Sequence, residues 1–164
     1  MANFDWEWLD HLLRQGTLVA AHLMRVTLHI VLVKEFPMYF QATRDAIRKF
    51  LKNRGLSWPP EFTETHKAIL GFINEKRSAT TLEIRRFLES KGLPTRNLHR
   101  IIHYELAGVG AILRSERSPS VPTQWKWSTT EGLIDKSSLE SDTEEEAKKW
   151  LVQKYLKAFG PSSI

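Results

Sequence analysis

The 164-residue chain contains no cysteine. Disulfides, thiolate zinc sites and cysteine nucleophiles are thereby removed together, and a reducing, cytoplasmic interior is the expected setting. A long hydrophobic run is also missing. The most apolar stretch, Leu18 to Val33, is interrupted by His22, Arg25 and His29 and falls short of the roughly 18 uninterrupted apolar residues of a membrane span. Near the N-terminus Asp5, Glu7 and Asp10 stand where a signal peptide would carry a basic region, so neither a leader nor a membrane contact is expected. There is no glycine-rich phosphate loop, no HExxH pattern and no recognisable Ser–His–Asp set. No cofactor and no metal site are expected, and catalytic residues stay unassigned.

What is present is a core-forming share of 41% hydrophobic residues, a formal charge of +5 and a pI near 9.6. The length fits one domain of ordinary size, or a small domain with flanking pieces. A basic balance favours polyanionic partners, although surplus lysine is common on surfaces that touch nothing. Its distribution is informative. Between Lys76 and Arg117 nine Lys or Arg face four Glu, an excess of five that equals the excess of the whole chain.

Residues 5 to 15 place Trp8, Leu9, Leu12 and Leu13 on one side of a short helix, which Gly16 would close. The Val, Ile, Leu and Thr content from Thr17 to Val33 predicts two strands turning at Met24 and Arg25. Alternation in the second strand sets Arg25, Thr27, His29 and Val31 against Val26, Leu28, Ile30 and Leu32, and the more apolar second set is expected to face the core. Pro37 suits the first turn of a helix running to about Asn53. Its buried stripe is Phe36, Phe40, Thr43, Ile47, Phe50 and Leu51, and Arg44, Arg48 and Lys52 form a basic row that reads first as a solvated face.

The two prolines of SWPPEF mark a linker. A helix from about Thr63 to Glu75 follows, packing through His66, Ile69, Leu70 and Ile73. The next helix starts at a capping box, Thr80 with Glu83, and buries Ile84, Phe87 and Leu88. A third, from Thr95 to about Leu106, turns Leu98, Ile101, Ile102 and Leu106 inward. Arg96, Asn97, His99, Arg100 and His103 are left outside.

Gly108 and Gly110 free the chain to turn, and two short β runs then flank the loop SERSPSVP. Tryptophans Trp125 and Trp127 are expected to pack inward, with Lys126 outward. Helix, helix, turn, helix and two strands is the order of a winged helix-turn-helix, so the fold class is α+β and helix-rich.

A major groove admits an α-helix, and Arg and Asn read guanine and adenine edges there. The candidate contacts to double-stranded DNA are therefore Arg96, Asn97, His99, Arg100 and His103, with Thr95 at the helix start for a phosphate. Arg114, Arg117 and Lys126 are the candidate backbone contacts of the wing; these add affinity rather than specificity. A solvated polar face on an ordinary core helix is the plainer alternative. The spacing of His99 and His103 would suit a metal, but no third ligand accompanies it. His29, facing with Arg25 and Thr27, is the one candidate for a catalytic polar pocket, against the plainer reading of a histidine bonded to backbone.

The run LRQGTLVAAHLMRVTLHIVLVKEF, with Arg25, Thr27, Leu28 and His29, resembles a signature of a winged-helix DNA-binding family. That family includes bacterial DNA glycosylases that excise alkylated purines and unhook interstrand crosslinks. The tail KKWLVQKYLKAFGPSSI is similar to the family's segment leading into its last winged helix, matching at Tyr155, Leu156, Gly160 and Pro161. The resemblance implies a tandem winged-helix array and, in active members, N-glycosidic hydrolysis of a damaged base. The family's Gln-x-Gln or Gln-x-Asp motif has no counterpart, because Gln15, Gln41, Gln124 and Gln153 are followed two positions later by Thr17, Thr43, Lys126 and Tyr155.

The resemblance sets the expected organisation. Residues 1–56 are a partial first winged-helix unit, 57–62 a linker, 63–134 a central winged-helix domain and 135–142 an acidic connector. Residues 143–164, opened by the capping box of Thr143 and Glu146, form a helix leading towards a further unit. An incomplete first unit is open to homodimerisation. Three functions follow: a DNA-binding winged-helix protein related to repair proteins, a DNA glycosylase or part of one, and a winged-helix protein-interaction module using Trp6, Trp8 and Trp150.

Overall fold

The computed structural model describes residues 6–118, 124–135 and 143–160. The tip of the loop SERSPSVP, most of the acidic connector and the final GPSSI beyond Gly160 lie outside them.

Helix α1 (Trp6–Arg14) buries Leu9 and Leu13, one turn apart, and lies against the sheet. Gly16 takes φ 69°, and Thr17 N donates to Leu12 O, which closes the helix as a left-handed residue does. Trp8 differs from expectation and is 57% exposed. The contact line runs through Leu9 and Leu13, and Trp8 lies about 100° round the helix from Leu9.

Strands β1 (Leu18–His22) and β2 (Leu28–Leu32) pair antiparallel from Leu18↔Leu32 to His22↔Leu28. Arg25 (φ 57°) and Val26 (φ 56°) carry the turn between them. The core face of β2 is the reverse of the sequence expectation. Val31 is buried, while Leu28 and Ile30 are 41% and 43% exposed. The register sets Val31 opposite Val19, and both join Ala21, Leu23, Phe36, Leu113 and Ile134 in one cluster. The opposite face of β2, which carries Leu28 and Ile30, is left to solvent.

Helix α2 (Phe36–Asn53) has Pro37 in its first turn and buries Phe36, Thr43, Ile47 and Leu51. Helix α3 (Glu64–Lys76), the two-residue strand β3 (Ala79–Thr80) and helix α4 (Thr81–Ser90) follow. The capping box forms as read: Glu83 N donates to Thr80 Oγ1, and Thr80 N donates to Glu83 Oε2 at 2.8 Å.

Helix α5 begins as an α-turn (Leu98–Arg100) and continues as a π-helical segment (Ile101–Leu106). It starts three residues later than expected, because Asn97 adopts φ 65° and Leu98 N donates to Thr95 O in a preceding turn. Strands β4 (Ile112–Arg117) and β5 (Trp125–Thr129), the single turn α6 (Thr130–Leu133) and helix α7 (Glu144–Phe159) complete the chain. Thr143 and Glu146 cap α7 reciprocally.

The result is an α+β, helix-rich fold on one antiparallel sheet, ordered β2-β1-β4-β5-β3. The pairing of Ala20 with Arg114 joins the N-terminal hairpin to the β4–β5 hairpin. The larger core gathers Ile69 and Ile73 from α3, Ile84 and Leu88 from α4, Leu98, Ile102 and Leu106 from α5, and Ile112 and Trp127 from the sheet. Each fully buried aliphatic side chain contributes about 1.5–3 kcal/mol, so this cluster fixes where α5 lies and which of its residues face out. Helix α7 packs on α2, with Trp150 edge-on to Tyr39 at 5.0 Å and Lys148 reaching Asp45 at 3.6 Å. Among the described residues no helix is long and apolar enough to cross a membrane.

Candidate nucleic-acid interface

The inward positions of α5, Leu98, Ile102 and Leu106, are each four residues apart and fully buried. That anchorage presents Arg96, Asn97, His99 and Arg100 at the surface, with Thr95 half-buried beside them. Four consecutive polar or basic positions of the expected contact set thus share one exposed stretch.

Arg100 does not hang free. Its Nε donates to Glu105 Oε1 at 2.8 Å, and Glu105 Oε2 lies 2.8 Å from His66 Nε2. His66 is 4% exposed, and its Nδ1 accepts from the Thr63 backbone N–H at 3.2 Å, so Nε2 carries the proton shared with Glu105. A buried chain from Thr63 through His66 and Glu105 therefore holds one end of the Arg100 guanidinium. The sequence placed His66 in the core and left Glu105 without a partner; 39 residues separate them.

His103 occupies a different environment from its neighbours. Its ring stacks on His99 at 4.2 Å, meets Trp127 edge-on at 5.0 Å, and accepts from Arg114 Nη2 through Nδ1 at 3.3 Å. Burial, and then the positive fields of His99, Arg114 and His22, push its pKa down to about 4. His22 is lowered as well, by burial first and then by Arg114 and His29. Sequence reading gave His22 no part in the DNA-contact set. Its strand pairing with Leu28 carries no signal of a neighbour on α5.

The three basic residues of the β4–β5 hairpin fall into two groups. Arg117 grips Asp10 of α1 with both nitrogens, at 2.6 and 2.8 Å. Lys126 donates to Glu116 at 2.8 Å, and Glu116 also accepts from Ser78. Arg114 lies over the Trp127 ring at 5.1 Å. Among the described residues no carboxylate comes within ion-pair distance of it. His29 Nδ1 lies 2.8 Å from the Thr27 carbonyl, the backbone bond of the plainer reading.

A pocket of about 130 Å³ opens between the β1–β2 turn, α2 and α5, lined by His22, Val26, Ile47, Phe50, His103 and Tyr104 among others. Arg54 lies over the Phe50 and Tyr104 rings at 4.4 and 5.2 Å. The arrangement is a cationic, aromatic surface on one side of the fold, suited to stacking and to phosphate contact.

Residues 1–164 match the family model described as AlkZ-like, DNA glycosylase AlkZ-like. No curated protein matches the chain. Among solved structures it is similar to the Streptomyces sahachiroi DNA glycosylase AlkZ, with a TM-score of 0.66 and 16% identity. That likeness covers 99% of this chain and 45% of the other, so the chain spans less than half the length of that protein. At such identity it is the fold that the two share.

Proposed function

The chain belongs to the AlkZ-like DNA glycosylase family, and from that premise we propose that it is a DNA-repair protein that binds duplex DNA through a winged helix formed by residues 63–134. In this reading α5 enters the major groove with His99 and Arg100, and the turn before it brings Thr95, Arg96 and Asn97 to the same groove. The β4–β5 hairpin is the wing. Residues 1–56 and 143–164 belong to neighbouring units of a tandem array, joined by the segments 57–62 and 135–142. The observation that carries the proposal is the exposure of Arg96, Asn97, His99 and Arg100, held outward by the buried Leu98, Ile102 and Leu106. Fluorescence anisotropy with a labelled duplex tests it: saturable binding that weakens as salt rises supports it, and no binding at low salt removes it.

N-glycosidic excision of an alkylated or crosslinked base is the second reading, favoured by the family match over the whole chain. His29 is its single candidate side chain within the residues in hand. Duplex containing 7-methylguanine, incubated with the protein and then treated with alkali, gives strand breaks at the modified base if the chain is catalytically competent. Breaks no more frequent than in the protein-free control leave binding as the function of this chain.

A further inference from the structure

Among the described residues Arg114 is a half-buried cation without a counter-charge. Its two companions on the hairpin are each neutralised within the protein, Arg117 by Asp10 and Lys126 by Glu116. Arg114 instead has an imidazole nitrogen at 3.3 Å and an indole face at 5.1 Å. Every titratable group named as acting on the adjacent imidazoles is itself basic: His99 from α5, His22 and His29 from the β1–β2 hairpin, and Arg114 from β4. Holding the Arg114 guanidinium partly out of water without a carboxylate is unfavourable, and an anion seated beside it would offset that cost.

There is also room for one. His22 and His103 both line the 130 Å³ pocket together with Val26, Phe50 and Tyr104, and Arg114 adjoins it through its bond to His103. His99, which stacks on His103, is exposed, so the pocket borders the outward surface of α5.

We propose that His22, His103 and Arg114 form an anion site that seats one phosphodiester of the DNA backbone beside α5. This rests on the DNA-binding reading and adds to it a fixed point. Arg114 would supply a planar, permanently charged fork to the phosphate oxygens. The two imidazoles would add N–H donors, and the Trp127 face would hold the guanidinium in place. The DNA register would then be set from the hairpin floor rather than from Arg117 or Lys126.

The test is the salt dependence of duplex binding, because each phosphate neutralised contributes about −0.9 to the log–log slope. R114Q is expected to lower the magnitude of the slope by about 0.9. An R114Q slope equal to wild type overturns the proposal. A second readout needs no variant and no duplex. The imidazole titrations of His22 and His103 in the wild-type protein are followed by NMR in dimethyl phosphate and in sodium chloride at equal ionic strength. Midpoints that rise by about 1 pH unit in dimethyl phosphate only are expected if the anion sits against the rings, and identical midpoints contradict the site. If wild type fails to bind duplex, the DNA-binding reading falls, and the dimethyl phosphate titration still decides the site.

Discussion

Arg117 and Asp10, 107 residues apart, form a two-pronged ion pair at 2.6 and 2.8 Å that ties β4 to α1. Both side chains are mostly shielded, and α1 has only a two-residue buried face, so this pair is a principal tether of the N-terminal helix. Breaking it with D10N is expected to cost about 1 kcal/mol in urea unfolding, with most of that loss absent when D10N is made in the R117Q background if the pair is the cause. The hydrogen bond from Arg117 also holds the Asp10 carboxyl below its ordinary range. A depressed carboxylate stabilises the fold above its unfolded pKa and loses that contribution as pH falls through its folded value. The acid limb of the stability curve should accordingly flatten in D10N.

His103 works on stability in a neighbouring pH window. Its folded pKa of about 4 lies below the ordinary 6.5, so the unfolded chain takes up the proton first as pH falls. Stability should be complete above about pH 6.5 and decline towards about pH 4. Discounted for water at this half-buried ring, the loss is about 1–2 kcal/mol. Denaturant unfolding at pH 7.5 and 4.5 measures it. H103Q should reduce the difference between the two, His22 supplying part of the remainder, and an unchanged difference in that variant would assign it to other groups.

Gly110 is held by two constraints. It adopts φ 73°, and a Cβ there would stand 2.9 Å from the Phe40 ring. Gly110→Ala is expected to destabilise the protein by about 2 kcal/mol, read as a lowered urea midpoint with an unchanged slope. Gly108 has a different reason, since a Cβ there would approach the Tyr104 carbonyl oxygen to 2.2 Å.

The chain from Thr63 to Arg100 predicts a graded response. His66→Ala leaves Glu105 Oε2 and the Thr63 N–H without their partner, at a cost of roughly 2–3 kcal/mol in urea unfolding. Arg100→Ala, at the exposed end of the same chain, should cost less than about 1 kcal/mol. Equal losses would mean that the buried bonds are not the stronger part.

What was legible in the sequence is what local chemistry determines. Both capping boxes, the closing Gly16, the Met24–Arg25 turn and the inward series Leu98, Ile102 and Leu106 all depend on residues within a few positions of one another. The burial of β2 was misread because both of its faces hold apolar residues. Docking of Phe36 and Leu113 against the Val31 side chose between them. The three pairings that define the candidate interface, Arg117 with Asp10, His66 with Glu105 and Arg114 with His103, span 107, 39 and 11 residues. Arg114, Arg117 and Lys126 looked equivalent as exposed phosphate contacts. Only the tertiary structure separates the two with carboxylate partners from the one without.

Duplex DNA binding through Arg96, Asn97, His99 and Arg100 is open to one direct measurement. Anisotropy titration of wild type and of the R96A/R100A double variant with the same labelled duplex, at matched salt and with folding checked by circular dichroism, tests it most directly. The account predicts that the folded variant binds at least about tenfold more weakly. A folded variant that binds as tightly as wild type would contradict it.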